Sequence, residues 1–327
     1  MPTIKVLTTG GTIASRSDDQ GRSVAQATGA ELLSGVAVAD VRVDVVDVFL
    51  VGGYLMTLDL MRDLALTADR TAREDDVVGL VVTHGTDTLE ETALFLDLFL
   101  DPDVPVALTG AQRAADAPDS DGPRNLADAI LVASHPASRG RGSMLVFDGY
   151  VLPAFATRKT QTLASTAFTA AGGGAAGWVH NGVLHYSGRC DARPRLDLAA
   201  FDVARARVDV VACYPGVEAI ALDALVGAGA RGIVLEAMGA GNANREICHA
   251  VERVVRDGVV VALSTRVPHG PVAAIYGNGG GADLVQAGAV PTGLLRPFQA
   301  RVLLAALLGV HGDPVIVREE LSTHVGG

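Results

Sequence analysis

The chain is 327 residues long, with 49% hydrophobic residues and a formal net charge of −11 at neutral pH. Its length fits two domains or one large α/β domain, and its apolar content is ample for a full core. The negative charge argues against a nucleic-acid backbone or an anionic membrane surface as the main partner. No charged segment followed by an apolar one opens the sequence, and the longest apolar runs, such as 302–310, fall short of the roughly 20 residues that a membrane span needs. We therefore expect a cytoplasmic protein without a nucleic-acid or membrane partner.

The cysteines and histidines show no metal-binding pattern. The three cysteines are dispersed, at Cys190, Cys213 and Cys248. They are too few and too far apart for a disulfide framework or a zinc site, which indicates structural thiols in a reducing compartment. Three histidines likewise lack the spacing of metal ligands: His180, His185 and His249. The sequence therefore predicts no bound metal.

The first predicted strand, 4–8, ends in a turn that contains Gly10 and Gly11 and leads to Thr12. Two consecutive glycines let the backbone turn sharply and approach a ligand closely. The turn does not follow the G-x-G-x-x-G pattern of dinucleotide-binding proteins, so no cofactor is expected there. The polar residues 16–28 are predicted to form a flexible loop over this end of the strand.

The stretch from residue 77 to residue 100 has the clearest pattern in the chain. An apolar run at 77–82 predicts a buried parallel strand, and the polar turn 83–88 leads into an apolar-rich helix over 89–100. Thr88 and Glu91 match the S/T-x-x-E capping box, which predicts that the helix begins at the turn. Open α/β sheets bind ligands at the carboxyl ends of such strands, where helix N-termini present N–H groups to negative charge. The turn is therefore predicted to be part of a site.

The remaining elements of this part of the chain alternate in the same way. Further strands are predicted at 41–51, 104–108 and 144–147, and helices at 59–72 and 126–134. A β-hairpin is predicted at 178–186. Glycine-rich or polar segments follow the strands at Gly52-Gly53-Tyr54, at 109–113, and at 150–162, which contains Arg158 and Lys159.

Residues 187–207 form a charged stretch with little periodicity, and we predict an interdomain linker at 188–207. It would separate a larger N-terminal α/β domain, 1–187, from a smaller C-terminal α/β domain, 208–327. In the second domain, strands are predicted at 208–213, 232–235 and 259–263, and helices at 219–226, 245–256 and 300–308. Buried strands that alternate with helices imply parallel sheets covered on both faces.

Polar features recur after the N-terminal strands: Thr12, Thr86 with Asp87, and Ala111 with Gln112. Such strand ends lie along one edge of a parallel sheet, so residues that are distant in sequence can converge there. A threonine hydroxyl is a poor nucleophile unless a base accepts its proton. A lysine can serve as that base, because desolvation lowers the pKa of an ammonium group. Lys159 is the candidate, with Asp87 holding the lysine or a cationic group of a substrate.

Each of these features also has an ordinary structural interpretation. Gly-Gly-Thr after a strand is typical of turns, and Thr-Asp-Thr before a helix is typical of capping. A single lysine such as Lys159 is most often a surface residue. His84 is predicted to be a structural, hydrogen-bonded residue behind the turn. The pattern alone leaves both interpretations open for the other residues.

Two long segments resemble the signature segments of the bacterial-type L-asparaginase/glutaminase family. They are T-T-G-G-T-I-A at 8–14 and V-T-H-G-T-D-T-L-E-E-T-A at 82–93. The similarity extends over nearly the whole chain, through T-G-A-Q-R at 109–113, D-G-P-R-N-L at 121–126, K-T at 159–160, G-A-G-N at 239–242 and Q-A-R-V-L-L at 299–304. Two long motifs at matching spacing make the resemblance specific.

The resemblance implies a two-domain asparaginase-like fold, with a larger, mainly parallel N-terminal sheet and a smaller parallel-sheet α/β domain. It implies hydrolysis of the side-chain amide of L-asparagine, or of a close analogue, to an acid and ammonia through a threonine nucleophile and an acyl-enzyme. The family works without metal or cofactor. It forms tetramers, dimers of intimate dimers, and the resemblance implies sites at the subunit interface.

By the same resemblance, Thr12 matches the nucleophile on the mobile loop. Thr86, Asp87 and Lys159 match a second constellation, in which the lysine and the aspartate help to activate a threonine or a water. Backbone groups near Thr12, Thr86 and Ala111 would hold the amide and its oxyanion. Four positions would bind the substrate or support the neighbouring subunit's site: Gly53, Tyr54, Ala111 and Asn242.

The sequence departs from the family pattern in three places. The family usually has a tyrosine on the mobile loop that hydrogen-bonds the nucleophile, whereas residues 16–28 contain none. Gly53-Tyr54 stands where the family has a serine followed by a polar residue for the α-carboxylate and α-amino groups. Many members offer a glutamate from the partner subunit, whereas residues 264–282 contain no carboxylate. Tyr54 and Tyr276 are candidates to replace the missing phenol.

These departures leave alternatives open, because a site discriminates for a group only if it has partners for that group. The same machinery would hydrolyse a different small amide or imide. A catalytically weak family member would bind an amino acid or an amide without turnover. An amidotransferase subunit acting on transfer RNA is disfavoured by the acidic charge.

Overall fold

The computed structural model of the chain describes residues 1–34, 36, 40–172, 174–187 and 194–326. It divides into two compact units, Met1–Arg195 and Leu196–Gly327. The division falls within the predicted linker, 188–207, whose limits remain predictions. Cys190 and the first part of that linker lie outside the described residues. Its later part contains two short 3₁₀ turns, Leu198–Ala200 and Val203–Arg205.

The first unit is built on one eight-stranded sheet with the strand order β12-β11-β8-β7-β6-β5-β1-β4. Its strands are β1 (Thr3–Gly10), β4 (Arg42–Val51), β5 (Val77–Thr83), β6 (Val106–Thr109), β7 (Ser143–Phe147), β8 (Tyr150–Pro153), β11 (Gly177–His180) and β12 (Val183–Tyr186). The strands β4, β1, β5, β6 and β7 run parallel to one another, and β8, β11 and β12 pair antiparallel with their neighbours. The predicted hairpin at 178–186 is confirmed as β11 and β12.

The order of the parallel strands reverses once. The chain passes from β1 outward to β4 and then returns to the other side of β1 for β5, β6 and β7. The reversal lies between β1 and β5. Ligands of open α/β sheets bind in the crevice at such a reversal, beyond the carboxyl ends of the strands. The fold therefore points to the turns that follow β1 and β5.

In the described part of the first unit, four helices accompany this sheet: α1 (Gly29–Leu33), α2 (Leu58–Ala72), α3 (Leu89–Phe99) and α4 (Gly122–Ser134). Helix α4 packs against one face of the sheet, where its Leu126 and Ile130 join Val81 in the core. Leu80 and Val82 alternate with Val81 and point to the other face, yet they are also fully buried. Both faces of the central strands are covered, as the apolar run predicts.

Residues 16–28, which were expected to form a loop, are more regular than predicted. They contribute to a two-stranded antiparallel hairpin of β2 (Ser15–Ser17) and β3 (Ser23–Ala25). Side chains on both strands are largely exposed, so the segment has no apolar alternation from which strands can be predicted. A second small hairpin is formed by β9 (Thr157–Lys159) and β10 (Phe168–Ala170), and it carries the predicted lysine.

The second unit contains a four-stranded parallel sheet in chain order, β13 (Val208–Ala212), β14 (Gly232–Ala237), β15 (Val260–Thr265) and β16 (Val290–Pro291). Its helices are α5 (Ile220–Gly227), α6 (Arg245–Arg256), α7 (Gly281–Gln286), α8 (Pro297–His311) and α9 (Pro314–Val325). The predicted helix 245–256 is confirmed residue for residue. The short elements β16 and α7 and the final helix α9 were not predicted.

The fold class is confirmed: a larger, mainly parallel sheet with helices, and a smaller parallel α/β unit. None of the helices in the described part of the chain combines the length and apolarity needed to cross a membrane.

Candidate active site

The turns after β1, β4 and β5 touch one another through glycines. Gly11 has a positive φ of 81°, and a Cβ atom on it would lie 2.4 Å from the backbone nitrogen of Gly85. A Cβ atom on Gly85 would lie 2.5 Å from the backbone nitrogen of Gly53. Real Cβ atoms do not approach other atoms so closely, so only glycine permits this packing. The three turns therefore meet backbone to backbone at the reversal of the sheet.

The turn after β6 joins the same group. A Cβ atom on Gly110 would lie 2.5 Å from the carbonyl oxygen of His84. Each of these four glycines is followed directly by a predicted site residue: Thr12, Tyr54, Thr86 and Ala111. Glycine contacts thus bring together four residues of which the outermost, Thr12 and Ala111, lie 99 positions apart in sequence.

Lys159 connects this group to the β9–β10 hairpin. Its Nζ donates hydrogen bonds to Oγ1 of Thr86, at 2.8 Å, and to Oδ1 of Asp87, at 3.0 Å. The Lys159 side chain is 19% exposed and that of Asp87 is 55% exposed. Thr86 is buried, and its hydroxyl donates to Oε1 of Gln112 at 3.2 Å. A threonine, a lysine, an aspartate and a glutamine therefore form one hydrogen-bonded chain.

The D-G-P-R-N segment at the start of α4 fixes the turn that carries Gln112. Both carboxylate oxygens of Asp121 accept the backbone N–H of Gln112, at 3.1 and 3.0 Å. The side-chain amide of Asn125 donates to the Gly110 carbonyl at 3.0 Å. The side-chain nitrogen of Gln112, Nε2, in turn donates hydrogen bonds to the carbonyl oxygens of Thr162 and Ala164. The motif thus has a structural role in supporting the site.

Thr12 differs from Thr86 in its surroundings. It is half-buried and begins a short 3₁₀ turn, Thr12–Ala14, whose geometry is held by the Ser15 hydroxyl donating to the Gly11 carbonyl at 2.9 Å. Within the described residues, the Thr12 hydroxyl makes no hydrogen bond. Because no described residue holds it by a hydrogen bond, this hydroxyl is free to turn toward a ligand at the sheet reversal, as a nucleophile must.

The hairpin that follows Thr12 is fastened to the loop after Gln112. The backbone N–H of Ala115 donates to the Ser15 carbonyl at 2.9 Å, and that of Ser17 donates to the Asp116 carboxylate at 2.9 Å. No tyrosine lies on this hairpin. Tyr54 is 74% exposed, with its ring over Gly52, and makes no hydrogen bond to Thr12 in the described structure. Tyr276, which lies in the second unit, is also exposed.

The capping box predicted for α3 is wrong. Helix α3 does begin after Thr88, but the Thr88 side chain makes no cap hydrogen bond. Its hydroxyl donates instead to the Gly53 carbonyl at 2.7 Å. Because the turn after β4 packs on this turn, the Thr88 hydroxyl donates to a distant carbonyl instead of accepting from an N–H of its own helix. Thr88 therefore ties the Gly53-Tyr54 segment to the start of α3.

The structural role predicted for His84 is confirmed. The side chain is fully buried, with Nδ1 2.8 Å from the Gly85 carbonyl oxygen and Nε2 3.0 Å from the Thr92 hydroxyl. Burial lowers the pKa of His84 to about 4, so the ring is neutral at physiological pH. The His84 ring therefore links the turn at Gly85 to Thr92 of α3.

Glu90 is a residue of the site that the sequence analysis missed. It lies in the first turn of α3, is only 7% exposed, and accepts the backbone N–H of Lys159. Burial raises its pKa to about 7. No local signal distinguishes it from Glu91, because both glutamates stand in the first turn of the same helix.

Asn242 lies in the second unit. Its side-chain oxygen accepts the backbone N–H of Gly281 at 3.0 Å, and its backbone pairs with Met238. The Thr265 hydroxyl donates to the Gly239 carbonyl of the same turn at 2.6 Å. Asn242 thus closes its own turn through its backbone, and its side chain ties that turn to the start of α7.

The described residues contain no group of three or more His, Cys, Asp or Glu side chains that could hold a metal. Cys213 and Cys248 are buried free thiols, and burial raises the pKa of each to about 11. Thiols of this kind are unreactive at neutral pH. The polar side chains that meet at the sheet reversal carry hydroxyl, ammonium, carboxylate and amide groups.

Comparison with protein families defines the class as amide hydrolases of the asparaginase type. Residues 3–191 match the model described as "Asparaginase, N-terminal", and residues 207–320 match "Glutaminase/Asparaginase C-terminal domain". Together the two matches span most of the chain. The chain belongs to the asparaginase family.

Individual relatives agree with the family models along the full length. The chain is 37% identical to a probable L-asparaginase of Deinococcus radiodurans, with 95% of this chain and 94% of that protein covered. It is 33% identical to L-asparaginase 2 of Escherichia coli, with 98% and 92% covered. The crystal structure of a probable cytoplasmic L-asparaginase from Campylobacter jejuni superposes with a TM-score of 0.84 at 28% identity, covering 99% of this chain and all of that one.

Proposed function

We propose that the protein hydrolyses the side-chain amide of L-asparagine to L-aspartate and ammonia. The observation that carries the proposal is the contact of the Lys159 ammonium with both Thr86 and Asp87 beside the Thr12 turn. This arrangement occurs in a family whose relatives at 33% and 37% identity are named L-asparaginases. The charges and hydroxyls at the sheet reversal suit an uncharged amide group next to a charged head group.

The proposed reaction has two stages. The Thr12 oxygen attacks the amide carbon, the hydroxyl proton passes to the leaving nitrogen, and the C–N bond breaks to release ammonia. The resulting ester on Thr12 is then cleaved by water, which restores the hydroxyl and releases the acid. Thr86, Asp87 and Lys159 transfer or hold the proton in each stage. Backbone N–H groups near Thr12, Thr86 and Ala111 stabilise the oxyanion.

The remaining assignments belong to the same proposal. The backbone of Gly53, Tyr54 and Ala111 lines the substrate position, and Asn242 supports the site of a neighbouring subunit. The working form is then a homo-oligomer, a dimer of intimate dimers, in the cytoplasm. Residues 1–187 are the catalytic domain and residues 208–327 the supporting one.

A second substrate class is favoured by one observation. Position 53 offers no side chain to a carboxylate or ammonium group, and a Cβ atom there would lie 3.0 Å from the Gly85 carbonyl oxygen. Tyr54 beside it is exposed and apolar over most of its surface. A small amide without the amino-acid head group fits such a surface as well as L-asparagine does.

The test is ammonia release by the purified protein from L-asparagine, D-asparagine, L-glutamine, succinamate and simple aliphatic amides. A Thr12→Ala variant serves as the control for each substrate. Turnover of L-asparagine that depends on Thr12 supports the main proposal. Turnover confined to amides without a head group supports the second class. Binding of L-asparagine without any turnover would overturn both and leave an amide-binding protein.

A further inference from the structure

One short segment of the chain makes hydrogen bonds both to the side-chain ammonium of Lys159 and to its backbone N–H. Thr86 and Asp87 accept hydrogen bonds from the side-chain ammonium, and Glu90, a few residues further along, accepts one from the backbone N–H of the same lysine. Thr86 and Asp87 precede α3, whereas Glu90 belongs to its first turn. The start of one helix therefore binds a single lysine on another element by three hydrogen bonds.

The bond to Glu90 satisfies a backbone N–H that the pairing of β9 with β10 does not use. In an antiparallel pair, successive N–H groups point alternately toward and away from the partner strand. The N–H of Thr160 points toward β10 and donates to the Ala167 carbonyl at 2.8 Å. The N–H of Lys159 consequently points away from β10, toward α3, where the Glu90 carboxylate accepts it.

Glu90 occupies an environment that is costly for a carboxylate. Its side chain is buried, and burial raises its pKa to about 7. The charges that act on it come from Glu91 on its own helix and from Arg158 and Lys159 on the facing strand. An apolar side chain would be easier to bury at this position than a polar one. The placement of a buried hydrogen-bond acceptor against the Lys159 backbone therefore calls for a role beyond packing.

We propose that Glu90 is a positioning residue for the amide hydrolysis, because it fixes the main chain of Lys159 so that the ammonium reaches Thr86 and Asp87 together. The inference rests on the proposed function of Lys159 as a proton-handling residue. Side-chain contacts alone leave a long, flexible lysine free to approach from several backbone positions. The bond to Glu90 sets the register of β9 against α3 and so removes that freedom.

The experiment compares three single variants of the full chain. Glu90→Met removes the acceptor with little change in side-chain length, Glu90→Gln keeps a carbonyl acceptor without the charge, and Glu91→Gln is the matched control on the next residue. Each is measured for its thermal midpoint and for kcat and KM on the substrate that the wild type turns over. Lys159→Met is measured beside them.

We expect Glu90→Met to lower kcat roughly 10²-fold with KM little changed, the effect of a small displacement of a reacting group. Glu90→Gln should recover most of that loss, and Glu91→Gln should behave as the wild type. A folded Glu90→Met protein with wild-type kcat overturns the inference, as does an equal loss of kcat in Glu90→Gln. If Lys159→Met keeps full activity, the proposed function of the lysine is wrong, and the inference that rests on it is wrong with it. An inactive Lys159→Met beside a fully active Glu90→Met overturns the positioning role alone.

Discussion

The turns after β1 and β5 are neighbours of similar sequence, and their threonines have opposite surroundings. Each turn places a threonine directly after a glycine, and the two glycines touch. The Thr86 hydroxyl accepts from Lys159 and donates to Gln112, so both of its hydrogen-bonding roles are filled. The Thr12 hydroxyl has no partner among the described residues. The comparison teaches that one threonine is built into a network while the other has a hydroxyl without a described partner, as the proposed nucleophile requires.

The largest effect is expected from Thr12→Ala. Removal of a nucleophile should lower kcat on the order of 10⁴-fold or more. The free energy of unfolding should change by less than about 0.5 kcal/mol, because the lost hydroxyl has no hydrogen bond to give up. The measurement is ammonia release together with urea unfolding. Thr12→Ala with substantial kcat would show that the available threonine is not the reacting one.

Thr86→Val should combine loss of activity with loss of stability. The variant leaves the Lys159 ammonium and the Gln112 amide each short of one partner, which should destabilise the fold by about 1–3 kcal/mol. Activity should fall roughly 10²–10⁴-fold, the contribution of a proton-transfer group. Unfolding curves and kcat measured on the same preparation test both parts. If Thr86→Val and Thr12→Ala lose stability equally, the contrast between the two turns is wrong.

The Glu90 carboxyl should make stability depend on pH in an unusual direction. Its pKa is raised from 4.5 to about 7 in the folded state, so between these values the folded protein binds more protons than the unfolded one. Its contribution to the free energy of unfolding therefore falls as pH rises through this window, by up to about 3 kcal/mol. Glu90→Gln should remove this loss and be more stable than the wild type at pH 7.5, but not at pH 4.5.

His84 provides the internal control for that experiment, since its shift has the opposite sign. Its pKa falls from 6.5 to about 4 on folding, so the unfolded chain binds more protons between these values. The His84 contribution is full above pH 6.5 and is lost as pH falls toward 4. Stability of Glu90→Gln should therefore still decline in acid. A variant whose pH profile matches the wild type throughout would contradict the raised pKa of Glu90.

The smallest effect is expected from Thr88→Val. The Thr88 hydroxyl bonds the Gly53 carbonyl rather than capping α3, so its loss should cost about 1 kcal/mol of stability. Because Gly53 lies at the proposed substrate position, KM should change more than kcat. Steady-state kinetics with Thr88→Ser as the matched control test this. An unchanged KM would show that the turn after β4 does not contribute to substrate binding.

Much of this arrangement was predictable because it depends on periodic signals. The apolar runs that become β1 and β5, and the amphipathic spacing of α6, identify parallel strands and helices wherever they occur. Convergence of Thr12, Thr86 and Ala111 followed from the rule that parallel strands end at one edge. The roles of these residues were predicted from resemblance, and they remain predictions for experiment to test.

The features that were missed depend on contacts between distant segments. The choice of Thr88 between a local cap and the Gly53 carbonyl is decided by the packing of another turn, which no local motif contains. Glu90 is adjacent to Glu91 in the sequence, and only the placement of β9 makes one of them a partner of Lys159. The β2–β3 hairpin lacks an apolar face, so periodicity gave no sign of it.

The glycine contacts at the sheet reversal also bear on how such a protein can change. Gly11, Gly53 and Gly85 leave no space for a side chain, so mutation there disturbs the scaffold that presents the reacting groups. Tyr54, one position further on, is 74% exposed, so we expect its replacement to need no backbone movement. At this point of the chain a fixed position is thus followed directly by an exposed one. A library restricted to residue 54 and its exposed neighbour Leu55 would search substrate preference while the catalytic frame stays constant.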